Sequence, residues 1–401
     1  MNEKLLDLLK TYPGPYPRYN YYPRMTEWDN KASESEWMEI LNHAKGDTVD
    51  LYIHFPFCKS FCHFCGCNIK IGTDFHDQSA YIEVLKKELK SYELQRFKIR
   101  NLYFGGGTPN ALHYDLMKEF LTFLISNINK DSDFHFVSEF DLRDYNEEYL
   151  QLLKSFGMTG LSFGVQDLNE SVLNIIGRKT DTNKLLKDIS SLKELSLDEV
   201  SIDLLYGLPK QGSQSFEKLK ELFSLNIVNK VSLYPFAEVP WFSDYYPEWD
   251  IHKPTTESKM SYFCELDAIL KDFNFEQIGY GHYFKKSSEH YKDYKNGQLG
   301  RTVMGYANKA SDILIGAGVS AISISPTMLK KNHKILGVYL ANDMKISNSH
   351  KMTEGEYDRW KLLQSMASEY QSTELNSNSN IPDEYSRYFI PYISKQYLSE
   401  L

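Results

Sequence analysis

Six short β-rich runs, each followed by a stretch of helical pattern or a turn, occupy residues 51–236 and leave the chain few architectures. The runs are LYIHF (51–55), NLYF (101–104), FHFVSEF (134–140), GLSFGV (160–165), VSIDLLYG (200–207) and KVSLYPF (230–236). Helical patterns lie between them near 77–95, 113–127, 146–155, 182–194 and 214–224. Strands alternating with helices at this spacing form βαβ units, and such units make a parallel sheet. The expectation is an α/β chain whose six strands form a barrel or part of one. In such sheets the chemistry sits at the C-terminal ends of the strands.

The flanks are less regular. A short helix is expected over Glu3–Thr11, followed by a Pro/Tyr-rich arm, YPGPYPRYNYYP (Tyr12–Pro23). Proline fixes φ and removes a donor, so this arm should be extended. A second helix is expected over Ser33–Ala44. After the sixth strand come FEQIGYGHYF (275–284) and DILIGAGVSAISI (312–324). Beyond Pro326 the chain reads as helical and polar, with STELNSNSN (372–380) as a loop. The expected division is an N-terminal arm and helix at 1–50, a barrel with its extension at 51–325, and a short helical region at 326–401.

Composition excludes several classes. With 42% hydrophobic and 14% aromatic residues the chain is not predominantly disordered. No apolar run reaches the ~18–20 residues of a membrane span. The first residues carry charges inside their apolar stretch and lack a small-residue cleavage site, so no signal peptide is expected and the location is read as cytoplasmic. The net charge of −9 comes without a basic block, which disfavours nucleic acid and anionic membranes as partners.

Of five cysteines, Cys58, Cys62, Cys65 and Cys67 lie within ten residues, and Cys264 stands alone. The segment FPFCKSFCHFCGCN gives C-x3-C-x2-C-x-C directly after the first strand. Five cysteines are too few for a disulfide scaffold of this size, and a dense thiol cluster reads as a metal or redox site. Closely spaced thiolates in one loop suit an iron–sulfur cluster. Zinc is the alternative, although its ligands usually come as two pairs a dozen or more residues apart.

Other chemistry-bearing residues end the strands. GGGTP (Gly105–Pro109) follows the second strand, where glycines let backbone approach a ligand, or simply make a turn. Glu139 closes the third strand and faces the barrel mouth. Gln166 ends the fourth strand. Arg178, in IIGR, can form bidentate pairs with a carboxylate. Asp203 lies inside an apolar run, where a carboxylate is costly without a partner.

The cysteine motif after a first strand resembles that of the radical S-adenosylmethionine (SAM) enzymes. The arm and the segments LYIHFPFCKSFCHFCGCN, LYFGGGTPNAL, SEFDLR, LSFGVQDLNESVLNIIGR, SIDLLYGLP, VSLYPFAEVP, IGYGHYF, LGRTVMGY and LIGAGVSAIS resemble, in order, the oxygen-independent coproporphyrinogen III oxidase family. The related haem chaperones usually lack a cysteine at Cys67 and lack the arm. The resemblance implies a partial (β/α)6 radical SAM barrel. It implies a [4Fe–4S] cluster on Cys58, Cys62 and Cys65, whose fourth iron binds SAM, with Cys67 among the catalytic cysteines. It assigns Gly106, Gly107, Thr108 and Glu139 to SAM. Gln166, Arg178 and Asp203 fall to a second SAM, and Tyr52, Phe64, Ala237 and Ile322 match further SAM-contacting positions. The implied activity is oxidative decarboxylation of coproporphyrinogen III to protoporphyrinogen IX by a 5′-deoxyadenosyl radical. A low-potential flavodoxin or ferredoxin would supply electrons, and the chain would act as a monomer.

The sequence departs from that family in places. Gly281 precedes His282 where an Asp is common. GRTVMGY keeps Arg301, Gly305 and Tyr306 but not the family's His and Asn. Other expected activities are therefore radical chemistry on another tetrapyrrole, such as haem methylation with ring opening, other SAM-dependent alkylation, or haem delivery by a chaperone. Propionates need cations, and Arg18, Arg178 and Arg301 have the guanidinium geometry for them.

Overall fold

A computed structural model of the chain describes residues 7–8, 10–12, 21–236, 252–279, 281–341 and 346–369. Arg18, most of the Pro/Tyr arm, Ala237 and the 372–380 stretch lie outside the described residues.

After α1 (Glu34–His43) come β1 (Thr48–Phe55), α2 (Phe75–Ser91), β2 (Lys98–Gly106), α3 (Tyr114–Ser126), β3 (Asn129–Glu139), α4 (Glu147–Ser155), β4 (Gly160–Gln166), α5 (Glu170–Ile175), α6 (Thr182–Ser191), β5 (Glu199–Tyr206), α7 (Ser213–Ser224) and β6 (Lys230–Pro235). The six expected strands are all present, and each pairs in parallel with the next. Helix starts follow local chemistry. Ser33 accepts from Glu36 N while the Glu36 carboxylate accepts from Ser33 N, so two otherwise unpaired donors are satisfied at once. Asp74, Asn146 and Asp181 cap α2, α4 and α6 in the same sense.

The remaining elements are α8 (Thr256–Asp272), β7 (Phe275–Ile278), β8 (His282–Lys285), α9 (Glu289–Lys295), the hairpin β9 (Leu299–Thr302) and β10 (Gly305–Asn308), β11 (Leu314–Ala317), β12 (Ile322–Ile324), β13 (Met328–Asn332), α10 (Leu336–Ala341), β14 (Ile346–Lys351) and α11 (Glu354–Glu369). One sheet of twelve strands runs β14-β13-β12-β11-β1-β2-β3-β4-β5-β6-β8-β7. β11 adds to β1 in parallel, and the outer strands on both sides are antiparallel.

The segment after Pro326 corrects the sequence reading. Residues 328–332 and 346–351 are strands, not helix, and α10 and α11 follow each of them. Their polar letters mislead because the polar groups are buried and paired. Lys330 is fully buried, donates to Glu34 and to Tyr92 Oη, and lies over the Trp37 and Tyr92 rings. Asn332 donates to Glu88 at 2.6 Å. Glu88 also accepts from Tyr92, Tyr339 and Gly318 N.

Alternation along β1 sets the two faces of the sheet. Val49, Leu51, Ile53 and Phe55 are fully buried and pack in the main core; the Phe55 ring lies 5.0 Å from Phe104 and 5.6 Å from Phe120 of α3. Tyr52 and His54 point the other way. There they line a cavity of about 410 Å³ together with Tyr103 of β2, Glu139 of β3, Ser162 of β4, Asp203 of β5 and Ser232 of β6. Six successive strands can share one cavity only if the sheet curls around it, so the parallel strands form an incomplete barrel with an open lumen. Among the described residues no helix is long and apolar enough to cross a membrane.

Candidate functional site

The four clustered cysteines lie in the loop after β1, at the C-terminal end of the parallel strands. Cys58, Cys62, Cys65 and Cys67 line one cavity of about 290 Å³ with Gly106, Gly107, Thr108, Glu139, Gln166, Arg178 and Asp203. Phe64 lines the same cavity and packs on the small apolar cluster of Val172, Leu173, Ile176 and Leu208. Tyr52 and Ile322 line the barrel lumen instead, and Glu139 and Asp203 border both spaces. Ala237 lies outside the described residues. Cys264 is an exposed thiol on α8, remote in sequence from this loop.

The glycine loop is pinned to the cysteine loop by backbone. Gly107 N donates to Phe55 O at 2.7 Å and Thr108 N to Phe57 O at 2.8 Å. A Cβ on Gly107 would sit 2.7 Å from Phe57 O, and one on Gly106 2.7 Å from the His54 ring. Gly106 also holds φ at +115°, a conformation open to glycine. Thr108 Oγ1 lies 3.4 Å from Cys58 Sγ.

Glu139 accepts from Tyr103 Oη at 3.2 Å and from Gly106 N at 3.1 Å. Burial and the neighbouring Asp203 push its carboxyl up to about 8. Burial raises Asp203 as well, against the Ser232 hydrogen bond and the charges of Lys230 and Arg178. Two buried carboxyls at the junction of two cavities make a site that favours a cation or hydroxyl donors. Gln166 holds φ at +67° where β4 ends, a strained backbone at a cavity wall.

Sequence reading missed Asp141 and Arg143, which form part of the same wall. Arg143 clamps Asp141 through Nε at 3.0 Å and Nη2 at 2.5 Å. Its Nη2 also lies 3.6 Å from Cys62 Sγ, and Arg178 Nη1 reaches that sulfur at 3.6 Å. Arg178 Nη2 donates to Gly164 O at 2.6 Å and lies 3.4 Å from Asp141. A D-x-R pair just past a strand's C-terminal end was the signal available.

The thiols test what the site can hold. Zinc bound through bonds of about 2.3 Å would gather its sulfurs within roughly 4 Å of one another. Among the described residues no three Cys, His, Asp or Glu side chains are gathered to hold one ion. Thiolates on separate corners of an iron–sulfur cube stand farther apart, and cations beside one sulfur suit an anionic cluster. Three thiols in one loop, with two guanidiniums beside one of them, are a donor set compatible with such a cluster.

Deeper in the lumen, Arg301 and His282 are both buried. Arg301 Nη1 donates to His282 Nε2 at 3.1 Å, which leaves the imidazole proton on Nδ1, 3.3 Å from Ser232 Oγ. Tyr306 of the hairpin packs against both. Lys230 lies in the same lumen, 2.7 Å from Glu199.

Comparison with known proteins agrees with this geometry. Residues 52–223 match the model of the radical SAM superfamily. An oxygen-independent coproporphyrinogen III oxidase of Helicobacter pylori (strain J99) is 30% identical over 339 residues, spanning 82% of this chain and 74% of the relative. The protein of that name from Escherichia coli (strain K12) is 29% identical over 338 residues, 83% of this chain and 74% of the relative. The one from Synechocystis is 28% identical over 404 residues, covering 97% and 86%. The solved structure of the Escherichia coli coproporphyrinogen III oxidase, described as a radical SAM enzyme, superposes with a TM-score of 0.84 at 26% identity, covering 96% of this chain and 88% of that one.

Proposed function

We propose a function from one premise: this chain belongs to the oxygen-independent coproporphyrinogen III oxidase family of the radical SAM superfamily. It converts coproporphyrinogen III to protoporphyrinogen IX by oxidative decarboxylation of propionates to vinyl groups. The observation that carries this reading is the junction of two spaces. The thiol cavity and the barrel lumen share Glu139, Ser162, Asp203 and Tyr234, so a radical generated beside the thiols is delivered to a chamber containing Arg301 and Lys230.

Cys58, Cys62 and Cys65 hold the [4Fe–4S] cluster. Gly106, Gly107, Thr108 and Glu139 would bind SAM, with Phe64 of the thiol cavity and Tyr52 and Ile322 of the lumen as further contacts. Gln166, Arg178 and Asp203, which line the thiol cavity, would hold a second SAM. When bound, the cluster and SAM would supply a 5′-deoxyadenosyl radical able to take a hydrogen atom from a propionate β-carbon, with CO2 leaving and one electron passing to an external one-electron acceptor as the vinyl group forms. Arg301, fixed by His282 and Tyr306, orients a propionate carboxylate by charge and bidentate geometry. A low-potential flavodoxin or ferredoxin supplies the electron to a monomeric, cytoplasmic enzyme.

The test is anaerobic reconstitution with SAM, a reductant and coproporphyrinogen III, followed by mass spectrometry. Protoporphyrinogen IX or a monovinyl intermediate is the expected product. Formation of 5′-deoxyadenosine with that substrate untouched, while haem is methylated or merely bound, would replace the oxidase reading by the corresponding alternative.

A further inference from the structure

We propose that Arg143, clamped by Asp141, is a positioning residue that donates to the cluster ligand Cys62 and raises the reduction potential of the cluster. The proposal rests on the reading of Cys58, Cys62 and Cys65 as the cluster ligands. Cys62 is the buried member of the trio. Two guanidiniums reach its sulfur, Arg143 Nη2 and Arg178 Nη1, each at 3.6 Å. A single carboxylate, Asp141, serves both of them. Two cations against one anion leave a net positive charge beside one corner of the cluster.

The arrangement is rigid before anything binds. Asp141 N donates to Asn110 Oδ1 at 2.8 Å, and Asn110 Nδ2 donates back to Asp141 O at 3.2 Å. Arg143 Nε then meets both oxygens of Asp141 at 3.0 Å, and Arg143 N donates to Asp141 Oδ1 at 3.0 Å. This fixes the plane of the guanidinium, whose Nη2 donates one hydrogen to Asp141 at 2.5 Å and has its second for Cys62 Sγ at 3.6 Å. A guanidinium that served only to close the turn after β3 would not need to reach across 81 residues of sequence to a thiol.

Reduction adds negative charge to the cluster, and that charge spreads onto the ligand sulfurs. A hydrogen bond and a cation at one sulfur stabilise the reduced form more than the oxidised form, so the potential rises. Low local polarity enlarges the effect. Arg143 thereby sets how readily the donor can charge the cluster.

The test uses the full chain, reconstituted anaerobically without SAM, in three forms: wild type, Arg143→Gln and Arg143→Lys. Iron and sulfide content is measured first, then potentiometric titration is followed by electron paramagnetic resonance of the reduced cluster. All three forms should carry the same iron and sulfide. The midpoint of Arg143→Gln should be more negative than wild type, with Arg143→Lys between them because it keeps the charge but loses the planar fork. Identical midpoints in cluster-loaded variants would overturn the proposal. Loss of iron from both variants would also overturn it, since Arg143 would then be a structural strut. A wild-type protein that takes up no iron or sulfide would instead defeat the underlying cluster assignment.

Discussion

Glu139 joins several constraints in one side chain. Its carboxyl is pushed up to about 8 by burial and by Asp203, against an ordinary value of 4.5. The folded apoprotein therefore holds a proton there that the unfolded chain releases near 4.5. Stability is fully present below that point and falls as pH rises through the folded value near 8. At about 1.4 kcal/mol per pH unit, the complete penalty is at most roughly 5 kcal/mol. Glu139→Gln should flatten this dependence, so thermal melts of the apoprotein at acid and alkaline pH should differ less than in wild type. The same change should weaken SAM binding by about 1.5–3 kcal/mol, the worth of a hydrogen bond to a charged group, as read by calorimetry. Among the thiols, Cys58→Ala, Cys62→Ala and Cys65→Ala should each abolish visible charge-transfer absorption and SAM cleavage, whereas Cys67→Ala should keep its iron. The thiol set was legible because its spacing is local. Tyr52 and Ile322 carried no local signal and were found only through resemblance. Asp141 and Arg143 were missed because their meaning depends on Cys62, far away in sequence.

At the scale of elements, the loop after β2 is a tight joint beside the thiols. Gly107→Ala would drive a methyl into the backbone of Pro56 and Phe57, at a cost of about 1–3 kcal/mol for overpacking. Because the strain falls between the glycine loop proposed for SAM and the cysteine loop, SAM affinity should drop by about 5- to 150-fold by calorimetry if that cost falls on binding, while far-ultraviolet circular dichroism stays unchanged. The β13 network behaves differently. Glu88→Ala would strip the acceptor from Tyr92, Tyr339, Asn332 and Gly318 N. Breaking a buried charged network on one side costs about 3–5 kcal/mol, which denaturant titration should show as a lowered midpoint. The strands β1 to β6 were readable because apolar alternation and helix spacing both reported them. β13 and β14 were not, since MLKKN looks solvated until Glu34 and Glu88 are placed beside it, and ISNSHK until Asn30, Glu36 and Glu356 are.

For the whole molecule, the core and the chemistry are separable. The main apolar core is built from the outer face of β1 to β6 and their helices, extended by α1, α8, β7, β8, β11, β13 and α10, and of the cysteine loop it includes Phe57. Removing the cluster under anaerobic chelation should therefore leave circular dichroism intact, in contrast to small zinc domains that unfold without metal. The partial barrel was foreseeable from six βα repeats, but its extension to twelve strands was not, because the two pairings that attach the additions, β11 on β1 and β8 on β6, join segments distant in sequence. Those added strands raise a separate issue, that of self-association. An uncurled sheet margin offers bare amides to any passing strand. The outer margin of β14 is taken up by residues 29–32 of the same chain: Asn30 N donates to Ser349 O, Ser349 N to Asn30 Oδ1, and Ala32 N to Ser349 Oγ. The segment leading into α1 thus works as a hem, and a chain trimmed to begin after residue 32 should become prone to fibrous or amorphous precipitation even with its catalytic apparatus intact.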